Sequence, residues 1–365
     1  MPLGAALSGG LDSSAIVCGI RHLEPDLPLN TFSYIAKGSS LSEERYVDMV
    51  NGHVGAHAHH VFFCEKNFLN DLENIIQVQD EPFGSTSIYA QYLVFQKAKE
   101  QNITVTLDGQ GADELLAGYN GYPSSRIKSL IENRQYLESL AFCYHWGKNG
   151  ANRNLLKSSM YYLNALLPAH VVKPFLYQFS KGPLDWLNQD YLNAFNVRRF
   201  PLDSTFLSQY KGYRLIERLE HALQTDGLPS LLRHGDRNSM RFSIESRVPF
   251  LTTPMAELLL SMPESYLISP KGQTKYLLRE SLRGIVPQAI LDRKDKIGFE
   301  TPEKNILLNL SKEILELLNA GYDIPIFNAT PLKNQIHLML ENDRKYSSLL
   351  WRWVNFIKWY QIQNF

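Results

Sequence analysis

The chain has 365 residues, with 37 Lys plus Arg balanced by 37 Asp plus Glu and 44% hydrophobic content. That length can bury a large core and allows two or more domain-sized units, while zero formal charge argues against a nucleic-acid partner, which would want a basic surface. Cys18, Cys64 and Cys143 are widely spaced and form no CxxC, so neither a zinc site nor a disulfide framework is suggested. No apolar run is long enough to cross a bilayer and no basic leader precedes an apolar stretch, so a cytoplasmic setting without membrane contact is expected.

In chain order, LGAAL (3–7) reads as a strand feeding a helix from Ser13 to about Leu23, with Ala15, Ile16, Ile20 and Leu23 on one side. Strand LNTFSYI (29–35) follows, then a helix in SEERYVDMVNGHV whose acids sit in the first turn. Strand HAHHVFF (57–63), helices in KNFLNDLENIIQVQ and STSIYAQYLVFQKAKE, and strand ITVTL (103–107) complete the first third. This alternation predicts an α/β fold, a parallel sheet with helices on both faces and a ligand site at the carboxyl ends of the strands. Past Pro123 strand signals fade, and Pro168, Pro174 and Pro183 punctuate short helices. From Gly227 onward the pattern is helical, ending in LLWRWVNFIKWYQIQ, where Leu350, Trp353, Val354 and Ile357 share a face expected to pack on the core. An α/β part over 1–123 and a mainly helical part over 124–365 are therefore expected.

LSGGLDSS (7–14) joins the first strand to the first helix through two adjacent glycines. Ser8, Gly9, Gly10, Asp12 and Ser13 stand where backbone N–H groups and a helix dipole favour an anion. No Gly-Lys-Ser/Thr follows, so this is not a Walker A loop. A carboxylate beside a phosphate cradle repels its own ligand unless a divalent cation lies between, so Asp12 points to magnesium pyrophosphate. Asp113 and Glu114, behind Gly109 and Gly111, supply further carboxylates after the fourth strand. Glu245 and Arg247 flank Ser246; the arginine can fix a substrate carboxylate or the two can brace each other, and Asp236 with Arg237 raises the same question. His57 and His59 share a strand face but lack acidic or cysteine companions, and Cys18 is read as a core residue, so neither is taken as a metal site.

With LSGGLDSS, the segments DEPFGSTSIYAQYLVF (80–95), VTLDGQGADELLAGY (105–119), LLRHGDRNSMRFSIESRVPFL (231–251), KYLLRESL (275–282) and DRKDKIGFETP (292–302) come in a telling order. Together they resemble the synthetase domain of glutamine-hydrolysing asparagine synthetases and their relatives, the β-lactam synthetases and lasso-peptide cyclases. The likeness runs from Leu3 to about Pro302 and is loose over 124–227. It implies a PP-loop ATP pyrophosphatase fold of the adenine nucleotide alpha hydrolase type, with 1–123 as the nucleotide-binding core.

The resemblance also implies ATP and magnesium (Mg²⁺) as cofactors. Asp12 and Asp113 would hold magnesium pyrophosphate, with Glu43 and Glu44 as weaker candidates. Leu7, Ser8, Gly9, Gly10, Ser13, Asp108 and Gly109 would line the nucleotide, and Ser33 and Tyr34 would lie near adenine. Lys296, ahead of Gly298 and Phe299, would be the catalytic lysine, leaving Arg293 and Lys294 as surface or supporting charges.

The implied reaction is adenylation of a carboxylate, most simply the side chain of aspartate, with ammonia completing an amide. Another carboxylate such as a sugar acid, an internal amine closing a ring, or a degenerate nucleotide-binding regulatory subunit are the alternatives. Two departures stand out. The chain starts at the edge of its first strand without the family's leading-cysteine glutaminase domain, so a truncation or partial gene product, supplied by ammonia or a separate glutaminase subunit, is expected. Gln110 stands where the family carries a glutamate, and an amide cannot accept a proton.

Overall fold

β1 (Leu3–Ala6) lies at the centre of a five-stranded parallel sheet, paired with β2 (Leu29–Tyr34) on one side and β4 (Val105–Leu107) on the other. The computed structural model describes residues 2–39, 42–149, 154–166, 184–197, 208–225, 227–295, 301–341 and 345–363. β3 (His57–Val61) extends the sheet beyond β2, and β5 (Glu245–Arg247) pairs in parallel with β4, giving the order β3-β2-β1-β4-β5. The first four strands fall where the apolar runs placed them. β5 does not announce itself, because its three residues begin and end on charges and both of those side chains face solvent. The sheet therefore reaches past residue 123 to recruit a strand from the mainly helical part.

Alternation along β2 sorts the two faces of the sheet. Phe32 and Tyr34 enter one core with Phe68 of α3 (Glu65–Gln79) and Tyr89 and Phe95 of α4 (Ser87–Glu100). Leu29 and Ile35 point the other way, against Val17 and Cys18 of α1 (Leu11–Leu23) and Val47 and Val50 of α2 (Glu44–Val54). A third core, with Leu130, Phe142, Leu215 and Leu267, belongs to the helical part. The helix Leu349–Gln363 buries Leu350, Trp353, Val354 and Ile357 as its sequence predicts, and adds Trp351 to the first core. Truncating either tryptophan to alanine would cost about 3–5 kcal/mol.

β2 and β4 leave β1 on opposite sides, so the crevice beyond the carboxyl ends of β1 and β4 is where the strand order reverses. Such a reversal opens a gap that neighbouring helices do not fill, and ligands of open α/β sheets bind there. LSGGLDSS follows β1 and DGQGADE follows β4, so both loops face that gap.

Candidate active site

The first loop is tied to the helix it starts. The Ser8 N–H donates to Ser13 Oγ at 3.2 Å, the two hydroxyls stand 3.1 Å apart, and the Gly10 N–H reaches Ser8 Oγ at 3.3 Å. Gly10 caps α1 without a side-chain hydrogen bond, which leaves the positive end of the helix dipole open to the gap. Gly9 has φ +75°, and a Cβ there would lie 2.8 Å from Tyr46 Cβ, so only glycine fits this turn. Arg293 holds the turn from behind. Its Nη1 donates to the Gly9 carbonyl at 3.0 Å, its Nη2 pairs with Glu43 at 2.7 Å and Asp295 at 2.9 Å, and its guanidinium lies 4.1 Å from the Tyr46 ring centre.

In front of these loops lies a cavity of about 590 Å³, within the range of small-molecule sites. Ser8, Gly10, Asp12 and Ser13 form one part of its wall, Asp108, Gly109, Gln110 and Asp113 a second, and Trp146, Leu231, Lys271, Lys275 and Arg279 a third. Burial pushes the Asp108 carboxyl up to about 6, against the pull of the Gln110 and Gly109 N–H groups. At the centre, Lys275 Nζ lies 2.6 Å from each oxygen of Asp12 and 2.7 Å from Asp113 Oδ1. Burial works against the charge of this ammonium, but the two carboxylates outweigh it and hold its pKa above the ordinary lysine value. Gly118 makes room for the group, since a Cβ there would collide with Asp113 Oδ1 and Lys275 Cε.

The asparagine synthase family model matches residues 1–361. The chain belongs to the asparagine synthase family. Asparagine synthetase 1 (glutamine-hydrolyzing) of Bacillus subtilis (strain 168) is 28% identical over 99% of this chain and 56% of its own length. Asparagine synthetase 3 of the same organism is 24% identical over 80% of this chain and 44% of its own length. Asparagine synthetase 3 of Arabidopsis thaliana is 32% identical over 33% of this chain and 22% of its own length. The chain thus spans about half the length, or less, of these curated relatives.

Set against the family pattern, the sequence-predicted residues divide into three groups. Ser8, Gly10, Asp12, Ser13, Asp108, Gly109, Gln110 and Asp113 all line the cavity, and the two aspartates converge on one cation. Leu7 and Gly9 shape the loop from beneath: Leu7 is fully buried and its N–H donates to the Phe32 carbonyl at 2.9 Å. Ser33 and Tyr34 are buried in β2 and do not reach the cavity wall.

Glu245 and Arg247 pair with each other at 2.9 Å, more than half exposed and outside the cavity, which corresponds to the bracing alternative. Asp236 and Arg237 lie exposed on the helix Leu228–Arg241. Lys296 lies outside the described residues. Lys294 borders the cavity, but Arg293 is not a surface charge: its side chain is 3% exposed because two carboxylates, a carbonyl and an aromatic face enclose it. Glu43 is committed to Arg293 and Glu44 merely opens α2. Of the β3 histidines, His57 is exposed, His59 stacks on Phe32 at 4.8 Å and His60 meets Asp48 at 3.3 Å.

Sequence reasoning missed Lys275. KYLLRESL stood out as a segment, but one lysine among 37 basic residues carries no sign that it lies between two aspartates more than 150 residues away in sequence. The two carboxylates suit magnesium, which is commonly held by one or two carboxylates with substrate phosphates supplying other oxygens. Among the described residues no group of three or more His, Cys, Asp or Glu side chains forms a closed protein cage for a metal.

Proposed function

We propose that the chain is an ATP-dependent amide-forming ligase acting first on the side-chain carboxylate of aspartate. A carboxylate oxygen attacks the α-phosphorus of ATP, the bond to the bridging oxygen breaks and pyrophosphate leaves. Ammonia then attacks the acyl carbon, AMP departs, and asparagine is formed. The observation that carries this reading is the convergence of Asp12 and Asp113 on a single cation beside an open helix N-terminus.

In this reading Ser8, Gly10 and Ser13 receive the leaving phosphates, and the Gly109 backbone borders the nucleotide. Magnesium held by Asp12 and Asp113 would neutralise charge on pyrophosphate. Lys296 would meet the charge that builds on the α-phosphoryl oxygens, the task a preplaced cation does best. The free cysteines Cys18, Cys64 and Cys143 suit work in the reducing cytoplasm. Among the described residues no helix is long and apolar enough to cross a membrane.

The test is pyrophosphate release from ATP with aspartate and ammonium. Asp12→Asn is expected to lower that release about 10²- to 10³-fold, the scale of losing one preorganised charge stabiliser, with an unchanged circular dichroism spectrum. Near-normal release would remove the cation assignment. Gln110 favours a second reading, because this wall of the cavity offers an amide where deprotonating ammonium calls for a base. Another carboxylate, or a substrate with its own amine, would then be the true partner. A screen of acids by pyrophosphate release separates the two.

A further inference from the structure

We propose that Asp108 is the general base of the amide-forming step and takes the proton that the attacking amine must lose. The proposal rests on the reading of the chain as an amide-forming ligase, and deepens it. Among the described residues five carboxylates border the cavity. Four of them are committed to cations, Asp12 and Asp113 to Lys275 at 2.6 and 2.7 Å, and Glu43 and Asp295 to Arg293 at 2.7 and 2.9 Å. The fifth, Asp108, meets no cation. Its carboxylate accepts from N–H groups of the loop it begins, that of Gln110 at 3.2 Å and that of Gly109. An ionised carboxylate has about four acceptor sites, so two such contacts leave it able to take a proton.

Its place in the fold suits the task. Asp108 directly follows β4, and its own N–H donates to the Arg247 carbonyl of β5 at 2.9 Å, so the sheet holds it at the point where the chain turns into the cavity. A Cβ at the adjoining Gly109 would press on Asp12 Cβ at 3.1 Å, and this close packing sets Asp108 beside the first loop, where the acyl-adenylate forms in the proposed reaction. Burial, with a smaller push from Asp12, raises the carboxyl to about 6. Near neutral pH it is therefore ionised and still a stronger base than an exposed carboxylate. Ammonia forms the C–N bond while the carbonyl π electrons move to oxygen, one N–H proton passes to an Asp108 oxygen, and the electrons returning from the carbonyl oxygen break the bond to AMP. Asp108 then gives its proton to water. Gln110, two residues along the same wall, carries an amide that cannot accept it.

The experiment follows single turnovers of the whole chain with ATP, aspartate and ammonium, and reads pyrophosphate and asparagine separately. Asp108→Asn should slow asparagine formation about 10²-fold more than pyrophosphate release, the scale of losing a general base, so pyrophosphate appears as a burst ahead of the amide. With hydroxylamine in place of ammonium, whose adduct gives up its proton to water more readily, the amide step should be slowed less. Equal slowing of both steps, or no slowing of either, overturns the proposal, and so does an equal loss with the two amines. If the asparagine variant fails to fold, Asp108→Ser decides by the same comparison. The proposed function fails separately. Pyrophosphate release by wild type with another acid but not with aspartate removes the aspartate reading, and the comparison is then made with that acid. No release with any carboxylate removes the ligase reading, and the role of Asp108 with it.

Discussion

The sheet-side wall and the helix-side wall of the cavity are made differently. On the sheet side, Ser8, Gly10 and Ser13 bind one another within six residues of chain, and Arg293 fixes the Gly9 carbonyl. On the helix side, Trp146, Leu231 and Lys271 arrive from separate segments and present side chains. Trp146 also borders a smaller hollow of about 100 Å³ with Asn154, Lys157 and Tyr161. In the proposed function, the groups that would handle a phosphate chain are thus locked locally, within one loop and its brace. The helix-side wall, which in that reading would meet the rest of the substrate, is left to side chains, which can change without disturbing the loop.

The sharpest way to break this contrast is to unlock the loop. Arg293→Ala leaves Glu43 buried with its cation gone and should cost about 3–5 kcal/mol of unfolding free energy in urea. Arg293→Lys should recover part of that stability but not the grip on Gly9, so the KM for ATP stays raised. A wild-type urea midpoint for the alanine variant would mean that the brace is not structural.

A smaller effect measures what the locked wall costs. With its carboxyl pushed from 3.8 up to about 6 by burial, Asp108 binds its proton more tightly in the native state than in the unfolded chain. The stability it contributes is complete below about pH 3.8 and is lost as pH rises through about 6. Asp108→Asn stays neutral and keeps an oxygen for the Gln110 N–H, so it should be more stable than wild type by up to about 3 kcal/mol near neutral pH. That advantage should vanish in acid. Equal melting temperatures at all pH values would contradict the burial argument.

On the helix side the expected change is in binding. Trp146→Ala should raise the KM for the carboxylate substrate about tenfold, the equivalent of 1.4 kcal/mol, and leave the KM for ATP alone. A change in both would show that the two walls are not separable. Smallest of all is Glu245→Gln. Its partner Arg247 is as exposed as it is, so neither melting temperature nor pyrophosphate release should move. A large loss of activity would return the pair to the site.

What was legible in the sequence follows the same division. Four strands, the carboxyl edge of the sheet as the ligand side, and the loop residues from Ser8 to Ser13 and Asp108 to Asp113 are encoded by short-range patterns of apolar runs and glycines, whereas the gap between β1 and β4 appears only with the strand order. β5 was hidden because strand pairing lent order to three residues with no apolar signal of their own. Lys275 was hidden, and Arg293 left open between a surface and a supporting charge, for a related reason: a cation's partners are set by chain reversal over long distances, and composition shows only that cations are present. The pair Glu245–Arg247 misled in the opposite direction, since adjacency suggests chemistry but side-chain burial decides it.

The helix Leu349–Gln363 has a consequence for synthesis. The Asn355 carboxamide oxygen accepts the Phe83 N–H at 2.8 Å in a buried position, Lys358 meets Glu73 at 2.8 Å, and Trp359 donates to the Asp80 carbonyl at 3.1 Å. Residues made early therefore wait for residues made more than 250 positions later before their core is covered. During translation, α3 and α4 would emerge with an aromatic hollow facing solvent, and contacts of such sequence separation close slowly. A nascent chain of this design keeps that hollow uncovered until the helix Leu349–Gln363 has cleared the ribosome.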